Sequence, residues 1–240
     1  MKRILYHFNL LASLSMVFMM ASCGGNTTGN TENTPAEEPN TNEKIELQEV
    51  SARTDLGAKL FITPQPALMI GTYDENGNPD VMMAAWGGQC DGDQVFFRLS
   101  PHRTTTNIRN TREFTLSFAT QRDIAQSDYF GIVSANDVPD KIARAGFTVT
   151  KSTRVNAPII NEYPLTLECR VVEIQEREGE GCFVIGKIVN TIADPSILTD
   201  GKIDLDKLQP VVFDMATVSY RSVGGSVGNA WGSGKVFVKE

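Results

Sequence analysis

The sequence predicts a mainly β domain, a closed or nearly closed β-barrel carrying short helices. Three observations predict it. Most apolar segments between Ala67 and Tyr220 are short and bounded by turn residues. One of them alternates large apolar with small polar residues, as a half-buried strand does. Helical patterns are few and brief, which leaves many short strands with helical insertions as the arrangement that buries the apolar residues.

Ala67 to Tyr73 and Val81 to Trp86 read as strands, and Asp74-Glu-Asn-Gly-Asn-Pro79 between them is turn chemistry. Gln94 to Leu99 is a third strand. Phe114 to Ala119 is a fourth, with the clearest alternation. Pro164 to Ile174 and Cys182 to Thr191 form a hairpin across Arg177-Glu-Gly-Glu-Gly181, and Met215 to Tyr220 is a late strand. Helical spacing is confined to Thr104 to Thr111, about Ile124 to Val133, and Asp137 to Ala145. No internal repeat is present.

Ahead of this domain lies a different kind of sequence. Lys2 and Arg3 precede an apolar run from roughly Leu10 to Met20, and Ala21 and Ser22 set small residues directly before Cys23. That is the order of a secretory signal. The run is shorter than the ~20 apolar residues a spanning helix needs. The cysteine at the cut resembles the lipobox of bacterial lipoproteins. The resemblance implies removal of residues 1–22 and a diacylglyceryl group on Cys23; an ordinary signal with a chance cysteine is the alternative. Residues 23–46 are mostly Gly, Asn, Thr, Glu and Pro. They bury too little to offset their ordering entropy, so they predict a disordered tether. Residues 47–240 are then the folded domain. The expected location is the bacterial cell envelope, lipid-anchored to a membrane and facing the periplasm or the exterior.

The formal charge of the chain is −7, and losing Lys2 and Arg3 with the leader takes it to −9. An acidic domain argues against nucleic acid and against anionic membrane surfaces as partners. Lipid rather than charge then provides the membrane attachment. With Cys23 lipidated, Cys90, Cys169 and Cys182 remain. An odd number leaves at least one thiol free, and whether two of them pair stays open. The leader takes His7 with it, so His102 is the single remaining histidine, and there is no CxxC. A zinc or haem site built from His and Cys therefore lacks ligands.

Two stretches carry candidate chemistry. Ser100-Pro-His-Arg-Thr-Thr-Thr-Asn-Ile108 leaves a strand and enters a helix through three threonines. Backbone N–H groups and the helix dipole at such a start attract anions. Thr hydroxyls, Arg103 and His102 add donors, and phosphate is the natural guest. A threonine N-cap beside a solvated arginine explains the same residues without a ligand. Trp86-Gly87-Gly88, at a strand end, allows a planar ring to approach backbone groups. A core tryptophan beside a turn is the plainer reading of it.

These two stretches, together with segments C-terminal to them, resemble the flavin reductase-like, FMN-binding split-barrel family, in particular its flavoredoxin-type members. The resemblance runs from about Pro64 to Gly234. It rests on an ordered set: Asn78-Pro-Asp-Val-Met-Met-Ala-Ala-Trp86, the Ser100–Ile108 turn, Arg112-Glu-Phe-Thr-Leu-Ser117, Asp140-Lys-Ile-Ala-Arg-Ala-Gly-Phe147, Ala157 to Cys169, Val184-Ile-Gly-Lys-Ile188 and a glycine-rich tail from Tyr220. It implies an FMN-binding split barrel, usually a homodimer with flavin near the subunit interface. Met83, Ala84, Ala85 and Trp86 are then expected along the isoalloxazine. Ser100, Arg103, Thr104 and Thr105 are expected at the phosphate. Ser117, Ala119 and Lys141 are weaker carry-overs near the flavin. Three positions depart from the family pattern, which commonly has Asn at Asp80, Thr at Met83 and His at Cys182. Asp80 repels an anionic ligand if it points inward. A buried Cys182 delivers protons poorly where His does so near neutral pH; a small apolar strand residue is the simpler reading of it.

The function implied is a flavoprotein oxidoreductase or electron carrier, in which FMN supplies the chemistry and the protein supplies position and electrostatics. No side chain is assigned as catalytic, and no metal is expected. No GxGxxG follows a strand, so a reduced nicotinamide has to stack directly on the flavin. Export complicates that, because reduced nicotinamides are cytoplasmic; a membrane electron-transfer partner is the other source. A non-catalytic flavin- or ligand-binding lipoprotein with the same barrel, or a barrel serving only as an interaction surface, are the competing classes.

Overall fold

The computed structural model describes residues 52–59 and 62–238. The leader, Cys23 and the tether of residues 23–46 lie outside the described residues. Every element below belongs to the compact unit Leu56–Glu240. The strands are β1 (Gln65–Pro66), β2 (Leu68–Tyr73), β3 (Pro79–Ala84), β4 (Gly87–Asp91), β5 (Gln94–Leu99), β6 (Glu113–Phe118), β7 (Val149–Lys151), β8 (Pro158–Ile160), β9 (Leu165–Glu176), β10 (Cys182–Ala193), β11 (Leu198–Thr199), β12 (Lys202–Ile203), β13 (Val211–Asp214) and β14 (Ser219–Ser222). The helices are α1 (Arg103–Thr111), α2 (Ile124–Ile132), α3 (Lys141–Arg144) and α4 (Leu205–Leu208).

Seven strands form one antiparallel sheet in the order β3-β2-β6-β9-β10-β5-β4. Its two edges, β3 and β4, are consecutive in the chain and joined only by Ala85 and Trp86. Edges tied by so short a link must meet, so the sheet rolls into a barrel split along that seam. The Trp86 carbonyl accepts from the Arg98 N–H at 2.8 Å, which fastens the link to β5. The mainly β barrel expected from the sequence is therefore the fold. A second sheet, β1-β13-β14, carries the C-terminal strands.

The core has two main faces because β2 is buried on both sides. Leu68 and Ile70 join Phe97, Phe114, Leu116 and Val184 in one cluster, with α1 inserting Ile108. Met69 joins Val81, Phe130, Phe147 and Tyr163 in the other, where α2 and α3 cover the sheet. Burial on both faces explains why β2 reads as a nearly continuous apolar run. Each fully buried large side chain contributes about 1.5–3 kcal/mol. Cys90, Cys169 and Cys182 are free thiols, the last two buried. Burial pushes the Cys169 thiol up to about 12 and that of Cys182 up as well.

Two expected elements are corrected. Met215–Tyr220 is not one strand: residues 215–218 form the turn between β13 and β14. The helix expected over Asp137–Ala145 is only Lys141–Arg144. Pro139 explains this, since it restricts Val138 to extended backbone and cannot sit inside a helix.

Gly87 and Gly88 open β4 rather than ending a strand. A Cβ on Gly87 would lie 2.6 Å from the Phe96 carbonyl oxygen and 2.8 Å from Leu68 Cδ1, whereas on Gly88 its nearest neighbour is a Phe96 ring carbon at 3.6 Å. Gly87 is thus required by the seam's packing. Gly87→Ala should lose about 1–3 kcal/mol through overpacking, and Gly88→Ala close to nothing. Thermal melts of the two variants side by side check this; equal melting temperatures would remove the argument.

Candidate functional site

The seam positions the site. β3 ends at Ala84, the link passes through Ala85 and Trp86, and β5 returns to Ser100. Met83, Ala84, Ala85, Trp86 and Ser100 consequently line one cavity of about 290 Å³. Its far wall comes from α2 and the C-terminal strands: Asp128, Gly131, Ile132, Phe213 and Tyr220. Trp86 is 44 % exposed and Ile132 75 % exposed. Neither is the core residue its type suggests, and both offer apolar surface at the mouth. Met83 faces Tyr220, whose hydroxyl lies 3.2 Å from its sulfur and donates to Asp128 Oδ1 at 2.7 Å. Burial, with Asp128 beside it, pushes the Tyr220 hydroxyl well above the usual tyrosine range. Tyr220 therefore stays a neutral donor at physiological pH.

An adjoining cavity of about 210 Å³ shares Met82, His102, Gly131 and Ile132 with the first. Arg103 and Thr104, at the start of α1, line it. The N-cap residue His102 is extended and makes no side-chain capping bond. The first intrahelical bond runs from the Thr106 N–H to the His102 carbonyl at 3.2 Å. The N–H groups of Arg103, Thr104 and Thr105 have no acceptor among the described residues. An uncapped helix start beside a cavity suits an anion, because the dipole and the free donors act together.

The side chains at this turn are more committed than the sequence suggests. Thr105 is buried, and its hydroxyl donates to the Ser100 carbonyl at 2.6 Å. Thr104 donates to Asp80 Oδ2 at 2.7 Å. Lys141 Nζ lies 3.0 Å from Asp80 Oδ1 and donates to the Val133 carbonyl at 2.9 Å. The lysine is off the hydrogen-bonding line of Oδ1, which has no aligned donor. Asp80 and Lys141 both line the second cavity, and their side chains are 1 % and 3 % exposed. Asp80 does point inward, with its charge balanced by Lys141. The Arg103 guanidinium is ion-paired with Asp74 of the β2–β3 turn.

Ser117 and Ala119 line neither cavity. Ser117 shares a hydrogen bond with Thr166 at 2.8 Å inside the sheet. Ala119 packs in the second core cluster, with its N–H donating to the Ala67 carbonyl at 3.0 Å. Cys182 sits in the barrel core and touches neither cavity. Sequence reasoning missed Asp128, Tyr220 and Phe213, which reach the first cavity from distant parts of the chain, and it missed Asp74 as the partner of Arg103. A larger depression of about 430 Å³ lies near Arg122 and Lys207. Its two cations are occupied, Arg122 by Asp123 and Lys207 by the Leu198 carbonyl.

Together the cavities offer a slot flanked by an indole and aliphatic groups, next to a helix start rich in donors. That arrangement fits a flat aromatic group carrying a phosphate. Residues 60–207 match the family model described as flavin reductase like domain. Flavoredoxin of Desulfovibrio vulgaris (Miyazaki F) is 31 % identical; the match covers 77 % of this chain and 100 % of that one, with a TM-score of 0.72. Flavoredoxin from Methanosarcina acetivorans is 27 % identical over 78 % of this chain and 100 % of its own, also at 0.72. An FMN-binding domain of a flavin reductases-like enzyme from Shewanella baltica OS155 is 17 % identical over 69 % and 89 %, with a TM-score of 0.60.

Proposed function

The chain belongs to the flavin reductase-like family of flavin-binding oxidoreductases, and from that premise we propose that it binds FMN and uses it to pass electrons at a membrane surface. One observation carries the reading: the cavity lined by Met83, Ala84, Ala85, Trp86 and Ser100 adjoins the open N-terminus of α1. The aromatic and phosphate requirements of FMN are met side by side. Solved relatives named as FMN-binding support FMN over other flavins.

In this reading Trp86 and the Met83–Ala85 backbone flank the ring system. The N–H groups at Arg103–Thr105, with the Arg103 guanidinium, hold the phosphate. Bound FMN supplies the capacity to accept and release a hydride or single electrons; the chain supplies position and an environment. Ile132 and Phe213 offer apolar surface along one side of the cavity. Tyr220, kept protonated and oriented by Asp128, holds a proton at its hydroxyl beside Met83.

The leader motif adds location. With lipid on Cys23, the barrel works close to a membrane, as a homodimer, in the cell envelope. A membrane electron donor suits that location better than free reduced nicotinamide. The visible spectrum of the purified full chain tests the FMN reading. It should be yellow, or turn so with added FMN, and bleach when a donor is added without oxygen. A colourless protein that takes up no FMN would sink it. A yellow protein that reduced nicotinamide leaves oxidised would favour the partner-fed carrier.

A further inference from the structure

Both cations at the phosphate turn are already matched with carboxylates. Lys141 lies 3.0 Å from Asp80 in a fully buried pair. Arg103 is paired with Asp74, whose side chain is 9 % exposed. Asp74 does not depend on Arg103 for its position. Its Oδ1 accepts from the Asn76 N–H at 2.9 Å and the Asn78 N–H at 2.8 Å. Its Oδ2 accepts from Asn78 Nδ2 at 2.9 Å. The turn thus fixes a charged carboxylate, and the guanidinium docks on it. The remaining hydrogen bond of Arg103, to Asn136 Oδ1, is long at 3.4 Å, so the arginine has a single strong partner.

We propose that Asp74 is an affinity-setting competitor: it engages Arg103 against the ligand's phosphate, so that the site holds FMN more loosely than its donors allow and exchanges it. This rests on the FMN reading above. Two effects act in one direction. A phosphate that takes Arg103 must give up or share the Asp74 bond. A phosphate that shares Arg103 is drawn towards a fixed carboxylate of its own sign, a repulsion of consequence at a partly buried site. Riboflavin has the same ring system and no phosphate, so it escapes both effects. The competitor therefore narrows the preference of the site for FMN over riboflavin.

The test is a fluorescence titration of the full chain with FMN and with riboflavin, in wild type, Asp74→Asn, Arg103→Ala and the double variant. Asn keeps the turn, because its side-chain oxygen still accepts from backbone N–H groups, and it removes the charge. The expected result is a Kd for FMN lowered about tenfold in Asp74→Asn, equivalent to one modest charge–charge term, with riboflavin changed less than about twofold. The gain should vanish in the Arg103→Ala background, since it acts through that guanidinium. Weaker FMN binding in Asp74→Asn would show that Asp74 orients Arg103 for the ligand, and would overturn the proposal. Unchanged affinity, or an equal gain for both flavins, would overturn it too. A wild-type chain that binds neither flavin would overturn the FMN reading itself, a result distinct from the other three.

Discussion

Replacing Arg103 with Ala is expected to raise the Kd for FMN by about 10–100-fold, the range for losing one charge-assisted hydrogen bond of roughly 1.5–3 kcal/mol. The loss belongs to the phosphate end. Riboflavin affinity should change little, because the cavity lined by Met83 to Trp86 is left intact. Folding should also survive, since Arg103 is a quarter exposed and its partner Asp74 keeps its bonds to the N–H groups of Asn76 and Asn78. The free N–H groups at the start of α1 remain in the variant, so binding weakens without disappearing. Arg103→Lys should recover only part of the loss, because a point charge does not reproduce the guanidinium fork. Fluorescence titration with both flavins reads all of this. Equal weakening for FMN and riboflavin would mean that the substitution disturbed the ring cavity instead, and unchanged FMN affinity would place the phosphate elsewhere.

How much of the fold and site is legible in the sequence depends on the range of the interaction. β2, β3, β5 and the long β9–β10 hairpin are readable because apolar spacing and turn residues are local, whereas β4, built on Gly87 and Gly88, is not. The start of α1 is readable for the same reason, as a strand, a proline and a run of threonines. What the threonines do is not readable. Thr104 answers to Asp80 and Thr105 to the Ser100 carbonyl, and only the folded chain brings those acceptors into place. In the sequence Gly87 reads as room for a ligand; the fold makes it room for the Phe96 carbonyl. Ser117 and Ala119 are carried over by their place near the end of a strand, but Ser117 lies two strands from Met83 and is held by Thr166, and Ala119 is taken up by the second core cluster. Tyr220 marks only the start of a glycine-rich tail, yet it meets Asp128 across 92 residues of chain. The leader and tether are expectations from composition and order alone, which need no tertiary structure.

Asp80 and Lys141 stand out separately in the sequence, one as an unexpected acid and the other as a residue near the flavin. The fold joins them, and this gives the largest expected effect on stability. Lys141→Met should destabilise the domain by about 3–5 kcal/mol, because it leaves a carboxylate buried without its counter-charge. Asp80 Oδ1 already lacks an aligned donor, and among the described residues Lys141 is its one ion-pair partner. Thr104 remains on Oδ2 and offsets only part of the cost. In a domain of this size the loss should lower the melting temperature by about 10 °C. Asp80→Asn should cost less than Lys141→Met. The amide keeps an acceptor for Thr104, and the lysine still donates to the Val133 carbonyl. The double variant Asp80→Asn/Lys141→Met should recover much of the loss in Lys141→Met, since no buried charge is then left alone. That non-additivity, measured by denaturant unfolding of all four proteins, distinguishes a buried charge pair from two residues that merely fill space. Simple additivity of the two single losses would show that the pair is not coupled.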